Sequence, residues 1–282
     1  RVKTKTGDQL DFFPGEQVQI LVDKNAVIKS RTVDYEKKEL IVDTIEWTID
    51  QDYILKSNLI MLDILATNNW DRPVYFTSMD RSSYMGMEDF FQLEGMAYRF
   101  VPNKKSNKDP YPGRVDTDIL FDHLMNEFEW EDMSDTYITE EYMTIGSKYS
   151  FLFSRLALAL KNENKNELAA DVIDRYFDMV PEKFLPYNFS ILPLVESYFG
   201  SEIFEKANEI CEKMIGLEKD RLELLYNREE LSNDTYKKSK TEDALFVLNE
   251  IVKISRRYEQ TQITNKAQTV FDYYFEIYQN LE

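Results

Sequence analysis

Residues 61–102 read MLDILATNNWDRPVYFTSMDRSSYMGMEDFFQLEGMAYRFVP. The stretch decides the fold because it joins an apolar helix to short strands. Leu59, Ile60, Leu62, Ile64 and Leu65 carry a helix, with Ser57 as its expected cap, to Ala66. The run then meets Asn68, Asn69, Trp70, Asp71, Arg72 and Pro73, a turn-forming cluster. From Pro73 a strand is predicted through Val74, Tyr75, Phe76 and Thr77, and residues 98–101 are a second strand candidate. Between them an acidic pair, Glu88 and Asp89, precedes Phe90, Phe91, Leu93, Met96, Tyr98 and Phe100, with Gly86 and Gly95 as turn points. Where a helix reverses into a strand the chain needs an anchor. Trp70 and Arg72 are therefore expected to be buried, with Asp71 or Glu94 paired to Arg72 or Arg99.

Upstream, residues 1–16 read as a loosely ordered lead-in with a turn at Pro14-Gly15, and residues 18–22 alternate like a strand. Residues 26–35 give mixed signals. Leu40, Val42, Ile45, Trp47 and Ile49 suggest one or two further strands. Downstream, Asp116 or Thr117 caps a helix from 118 to about 128. Beyond about residue 145 strand signals vanish and helical periodicity persists.

Within that helical half the pattern Glu-x-Ala-x3-apolar occurs at Glu167, Ala169, Ile173; at Glu205, Ala207, Cys211; and at Glu242, Ala244, Leu248. The spacing is close to a tetratricopeptide period of about 34 residues. Such a small residue lets paired helices approach, and the apolar residue one turn later fills the gap between hairpins. In the first copy Ala157 and Pro181 stand twelve residues either side of Ala169. In the second, Val195 and Tyr198 fill the first-helix positions less well, and the third has almost no consensus first helix. A plain helical bundle would show similar stripes. Ile263, Ala267, Val270, Phe271, Tyr274, Phe275 and Tyr278 predict a final capping helix over 263–281. The expected fold class is thus an α+β N-terminal domain with a small sheet, residues 1–145, followed by an all-α tetratricopeptide-like helical-repeat domain, residues 146–282.

Composition narrows the function. The 282 residues are 43% hydrophobic and 14% aromatic, enough for a substantial core, and carry a net charge of -18. That charge repels phosphate backbones and anionic headgroups, so neither nucleic-acid nor direct membrane-surface binding is expected. Residues 115–147 hold ten carboxylates and no Lys or Arg, but lack the spacing of a calcium-binding EF-hand; a solvated acidic surface is the simpler reading. No apolar run reaches the roughly 18 residues of a membrane span, and no leader is expected at Arg1. The single Cys211 and single His123 rule out intrachain disulfides and multi-ligand Cys or His metal sites. His123 lies among Ile119, Leu120, Leu124 and Phe128 at helical spacing, so it reads as a packed histidine. No cofactor or metal is expected.

Several strings, however, agree in order with one family. ATNNWDRPVYF (66–76), MEDFFQLEGMAYRFVP (87–102), VDTDILFDHLMNEFEW (115–130), VDKNAV (22–27) and VPEKFLPYNFSILPLVESYF (180–199) resemble the C-terminal soluble region of a family of large bacterial membrane proteins of unknown function. That family is distantly similar to protein O-mannosyltransferases and their eukaryotic transmembrane relatives. The resemblance implies an extracytoplasmic (periplasmic) region whose transferase chemistry, with a lipid-linked sugar donor, belongs to its own membrane-embedded part. The partners it implies are that part and a protein or glycoprotein acceptor.

Candidate binding residues fall in the opening stretch. Asn68, Asn69, Trp70, Asp71, Arg72, Tyr75, Glu88, Asp89 and Glu94, with Tyr84, Phe91 and Tyr98 interleaved, have the composition of a surface that stacks on sugar rings and bonds their hydroxyls. The competing reading makes the aromatics core and the charges turn-locking pairs. No catalytic residue is assigned, because no G-x-S-x-G, phosphate-binding loop or metal-ligand motif occurs. An accessory region that positions an acceptor or partner is the expected function. A stand-alone protein-interaction scaffold and a carbohydrate-active hydrolase using paired carboxylates are the alternatives.

Overall fold

The computed structural model describes residues 2–3, 9–10, 15–49, 51, 53–77, 84–103, 111–129, 140–180, 182, 187–227 and 234–279. The chain divides into two compact units, Arg1–His123 and Leu124–Glu282. The expected boundary near residue 145 lies inside the helix Glu140–Asn162.

In the first unit β1 (Val2–Lys3) pairs antiparallel with β2 (Gln9–Leu10). The turn expected at Pro14-Gly15 lies in part outside the described residues. β3 (Gln17–Leu21) pairs antiparallel with β4 (Thr44–Thr48), setting Val18 opposite Trp47 and Ile20 opposite Ile45. Ile45 and Trp47 are buried while Glu46 and Thr48 are exposed, the period of two that a half-buried strand requires. Between them α1 (Lys24–Lys29) is capped by Asp23, whose carboxylate accepts from the backbone of Asn25 and Ala26. The strand expected from Leu40 begins only at Thr44, because Tyr35–Leu40 closes into a 3-10 turn.

α2 (Lys56–Thr67) starts without the Ser57 cap; the Asn58 side chain instead accepts from the Leu55 amide at 2.9 Å. It ends where Asn69 (φ 47) and Trp70 (φ 64) turn left-handed. The following strand, β5 (Tyr75–Phe76), is shorter than expected. With β6 (Phe91–Glu94), β7 (Ala97–Phe100) and β8 (Arg114–Val115) it forms a four-stranded sheet in the order β5-β7-β6-β8. All neighbours are antiparallel except β6 and β8. The β6–β7 hairpin turns at Gly95, which has φ 68. Gly86 (φ 89) itself passes close to β4: a Cβ there would lie 2.6 Å from the Thr48 carbonyl oxygen. Asp116 then caps α3 (Thr117–Asp122), which runs on as one π-helical turn, His123–Glu127.

Helices alone make up the described second unit: α4 (Glu140–Asn162), α5 (Asn166–Met179), α6 (Leu192–Gly200), α7 (Phe204–Asn227), α8 (Asp234–Arg257) and α9 (Thr261–Gln279). α4 packs on α5 and α6, α6 on α7, and α7, α8 and α9 on one another. Ala169, Ala207 and Ala244 are fully buried, as close helix packing requires. Three of the connections use one device. Asn164 (φ 61), Glu202 (φ 63) and Glu259 (φ 59) are left-handed, and the next amide, of Lys165, Ile203 or Gln260, bonds back to the carbonyl of Leu160, Tyr198 or Ser255. Each is the six-to-one bond of a Schellman turn. Five residues after the left-handed position comes a buried small side chain, Ala169, Ala207 and Thr264.

The recurring turn and the Glu-x-Ala pattern therefore coincide at Ala169 and Ala207 and part at Ala244. Ala169 and Ala207 lie on the second helices of the pairs α4–α5 and α6–α7. Ala244 lies on α8, the helix directly following α7, and the structural counterpart is Thr264 on α9. Pro181, expected to end the first copy, lies outside the described residues. The expected terminal helix is α9, with Ile263, Thr264, Ala267 and Tyr274 buried. No helix among the described residues is long and apolar enough to cross a membrane.

Candidate functional site

Alternation along β6 and β7 sorts the side chains of the four-stranded sheet onto two faces. Phe91 faces Phe100 and Leu93 faces Tyr98 across the hairpin, while Phe76 faces Tyr98 from β5. The ring of Phe91 lies 4.7 Å from Phe76, 6.0 Å from Tyr84, 6.2 Å from Tyr98 and 6.4 Å from Phe100. Trp70 stacks on Phe100 at 5.8 Å with the planes 3° apart. Of the five aromatics that could have stacked on sugar rings, Trp70, Tyr84, Phe91 and Tyr98 are buried in this cluster; Tyr75 alone is exposed.

The opposite face is polar. Register places Tyr75, Arg99, Gln92 and Arg114 in a single rung across β5, β7, β6 and β8, with Glu94 further along β6. Gln92 and Glu94 are nonetheless buried. Burial of polar groups is tolerated only when they are bonded, and here they bond to one another. The Tyr75 hydroxyl donates to Glu94 Oε2 at 2.9 Å, and Gln92 Nε2 donates to Glu94 Oε1 at 2.7 Å. Arg99 Nη1 lies 3.8 Å from the same carboxylate, and Arg99 Nη2 donates to Thr32 Oγ1 at 3.3 Å. At the far end Arg114 Nη1 donates to Gln92 Oε1 at 2.9 Å. Asn103, its amide oriented by its bonding pattern, accepts from Arg114 Nη1 at 3.0 Å. Burial, and after it the Glu94 carboxylate, push the Tyr75 phenol above its ordinary range. Burial also pulls the Arg114 guanidinium below its own, with Asp116 opposing.

Of the expected site residues, then, Tyr75 and Glu94 are joined by a direct bond, and Trp70 is core. Asn69, Asp71 and Arg72 project from the turn, which is closed by Asn68 Nδ2 donating to the Arg72 carbonyl at 2.7 Å. The expectation that Arg72 is buried against a carboxylate fails. Its side chain is exposed and forms no ion pair among the described residues, since the backbone and Asn68 hold the turn without it. The pairing expected of Glu94 is with Arg99. Glu88 and Asp89 sit on the 3-10 turn Glu88–Phe90, where one Glu88 oxygen is sequestered without a hydrogen bond. Gln92, Arg114, Asn103 and Thr32 were not expected at the site. The signal for Gln92 was available: Phe91-Gln92-Leu93-Glu94 and Tyr98-Arg99-Phe100 both alternate apolar with polar.

The acidic segment gives no cation site where it can be described. Asp116 and Asp118 are taken up by Lys37, whose Nζ donates to Asp116 at 2.7 and 2.8 Å and to Asp118 at 2.9 Å. Burial works against that ammonium, but the two carboxylates outweigh it and raise its pKa. Among the described residues no group of three or more His, Cys, Asp or Glu could hold a metal ion. Cys211 is buried, and burial pushes its thiol up to about 12, far from a reactive thiolate.

No curated protein and no solved structure matches the chain significantly. Residues 1–119 match the family model of TMEM260-associated domain 2, so this part of the chain is similar to a domain associated with a transmembrane protein family.

Proposed function

We propose that the chain is an accessory recognition region of a TMEM260-like membrane protein, lying on the extracytoplasmic side and positioning a protein or glycoprotein acceptor beside the parent protein's membrane-embedded transferase. The match of residues 1–119 to TMEM260-associated domain 2 carries this reading. The site chemistry is consistent with it: the Glu94 carboxylate already accepts from Tyr75 and Gln92. Exposed groups remain for recognition, in the turn bearing Asn69, Asp71 and Arg72 and at Tyr75. The helical region acts as a tetratricopeptide-like platform for protein contacts. The pairs α4–α5 and α6–α7, each with a buried small or β-branched residue on both helices, support that part.

The test combines turnover with binding. The purified chain is assayed against aryl glycosides and lipid-linked sugar donors, and its affinity for unmodified and glycosylated acceptor polypeptides is measured. No turnover, with acceptor binding weakened by Asp71→Ala and Arg72→Ala at unchanged melting temperature, is the expected result. Turnover abolished by Glu88→Gln, Asp89→Asn or Glu94→Gln would replace this reading by that of a hydrolase.

A further inference from the structure

The polar face of the sheet carries more positive than negative charge, in a chain whose net charge is -18. Two guanidinium groups, Arg99 and Arg114, stand in the rung against one carboxylate, Glu94. Neither is hydrogen-bonded to it. Glu94 spends its oxygens on Tyr75 and Gln92, leaving Arg99 at 3.8 Å, beyond hydrogen-bonding distance. Arg99 Nε is sequestered and has no hydrogen-bond partner among the described residues. Among the described residues Arg114 hydrogen-bonds only to neutral acceptors, Gln92 and Asn103, and both through Nη1, leaving its Nε and Nη2 unused there. The nearest acid in sequence, Asp116, is held by Lys37. Arg99 thus has only the longer ion pair with Glu94, and Arg114 only the field of Asp116. A partly desolvated guanidinium with no carboxylate hydrogen-bonded to it is costly, and the planar fork is suited to two parallel bonds with one.

We propose that Arg114 and Arg99 form a carboxylate-binding site, which takes the side chain of an Asp or Glu of a bound polypeptide. Half-buried Arg114 and exposed Tyr75 stand at the two ends of the rung, so solvent reaches the face from its edges. A single carboxylate is favoured over a phosphate dianion because the surrounding chain is strongly acidic and repels the higher charge. The ligand bonds Arg114 through the unused Nε and Nη2, in the geometry that a lysine could not reproduce. The inference rests on the recognition role proposed above, yet the two fail separately: an acceptor that binds without any acidic residue would remove this site and leave that role intact.

The Nε–H resonances of Arg99 and Arg114 in the whole chain report on the site without any substitution. They are followed by NMR during titration with sodium acetate, with sodium phosphate, and with sodium chloride at matched ionic strength. A short polypeptide with one Glu is compared with its Gln counterpart. The expected result is a saturable shift of the Arg114 resonance, smaller for Arg99, with acetate and the Glu peptide and none with chloride or the Gln peptide. In parallel, the Glu peptide should raise the melting temperature of the wild type and of an exposed control, Lys38→Gln, but not of Arg114→Gln or Arg114→Lys. Unmoved arginine resonances would overturn the site, as would equal response to chloride. A response to phosphate alone would overturn the carboxylate assignment. If Arg114→Gln does not fold, the wild-type titration still decides.

Discussion

Trp70 trades backbone strain against burial. A bulky residue in the left-handed region costs roughly 1–2 kcal/mol, and Trp70 accepts that at φ 64 because its ring is buried and stacked on Phe100. Trp70→Ala should therefore destabilise by ~3–5 kcal/mol, read from denaturant or thermal melts; unchanged stability would make the stack incidental. Its burial was legible in the sequence as the one large apolar side chain in a polar turn. Arg72 departs from expectation because a charged residue beside an anchor has the look of a partner in sequence, whereas Asn68 and the backbone suffice to close the turn. The rung of Tyr75, Arg99, Gln92 and Arg114 was not legible, since it depends on strand register, and β8 has only two residues to announce it. Glu218 gives a second test at this scale. It is buried on α7, and burial, assisted by Asp243 and opposed by Arg221, raises its pKa above the ordinary 4.5. A carboxyl whose folded pKa is raised contributes stability below its unfolded value and loses it as pH rises through the folded value. Glu218→Gln should then raise the melting temperature at pH 7, with the gap to wild type closing as pH falls through the raised folded value and closed below about 4.5. A gap that widens with acid would show that the ion pair with Arg221 dominates instead.

Among the elements, the Schellman turns explain why the helical half was half readable. Periodicity reported that Ala169, Ala207 and Ala244 are buried, and they are. It could not report which helix of a pair carries each, because a buried small residue looks the same on either. The phase is set by the left-handed residue, and only Asn164 is a residue type that advertises that conformation; Glu202 and Glu259 do not. Two substitutions separate these contributions. Ala207→Leu should overpack the contact of α7 and cost ~1–3 kcal/mol. Glu202→Gly should stabilise by up to about 1 kcal/mol, because glycine removes the left-handed strain while adding some unfolded-state entropy. Thermal melts check both; a destabilising Glu202→Gly would show that its side chain contributes more than the strain it introduces. In the first unit Gly86→Ala should be disruptive, since the new Cβ meets backbone, the Thr48 carbonyl oxygen, at 2.6 Å and φ is positive.

For the whole molecule, two independent boundaries nearly coincide. The match to TMEM260-associated domain 2 ends at residue 119, and the first compact unit ends at His123. A segment delimited both by family similarity and by its own contacts has the marks of a domain that folds on its own core. The remainder, Leu124–Glu282, is delimited by its own contacts alone. Residues 124–282 contain six helices among those described, with buried side chains running from Leu152 and Phe153 through Leu222 and Ile251 to Tyr274. A chain of that length buries enough apolar surface to be stable alone. Residues 124–282 expressed alone should therefore show a helical far-UV spectrum and a cooperative melt. Cys211 should resist a thiol reagent until denaturant is added, as its buried thiol requires. Ala207→Leu should lower the melting temperature of this piece, because that contact is internal to it. A non-cooperative melt with Cys211 labelled at once would show that the helices need residues 1–123 to complete their core, and the chain would then be one folding unit despite its two clusters of contacts.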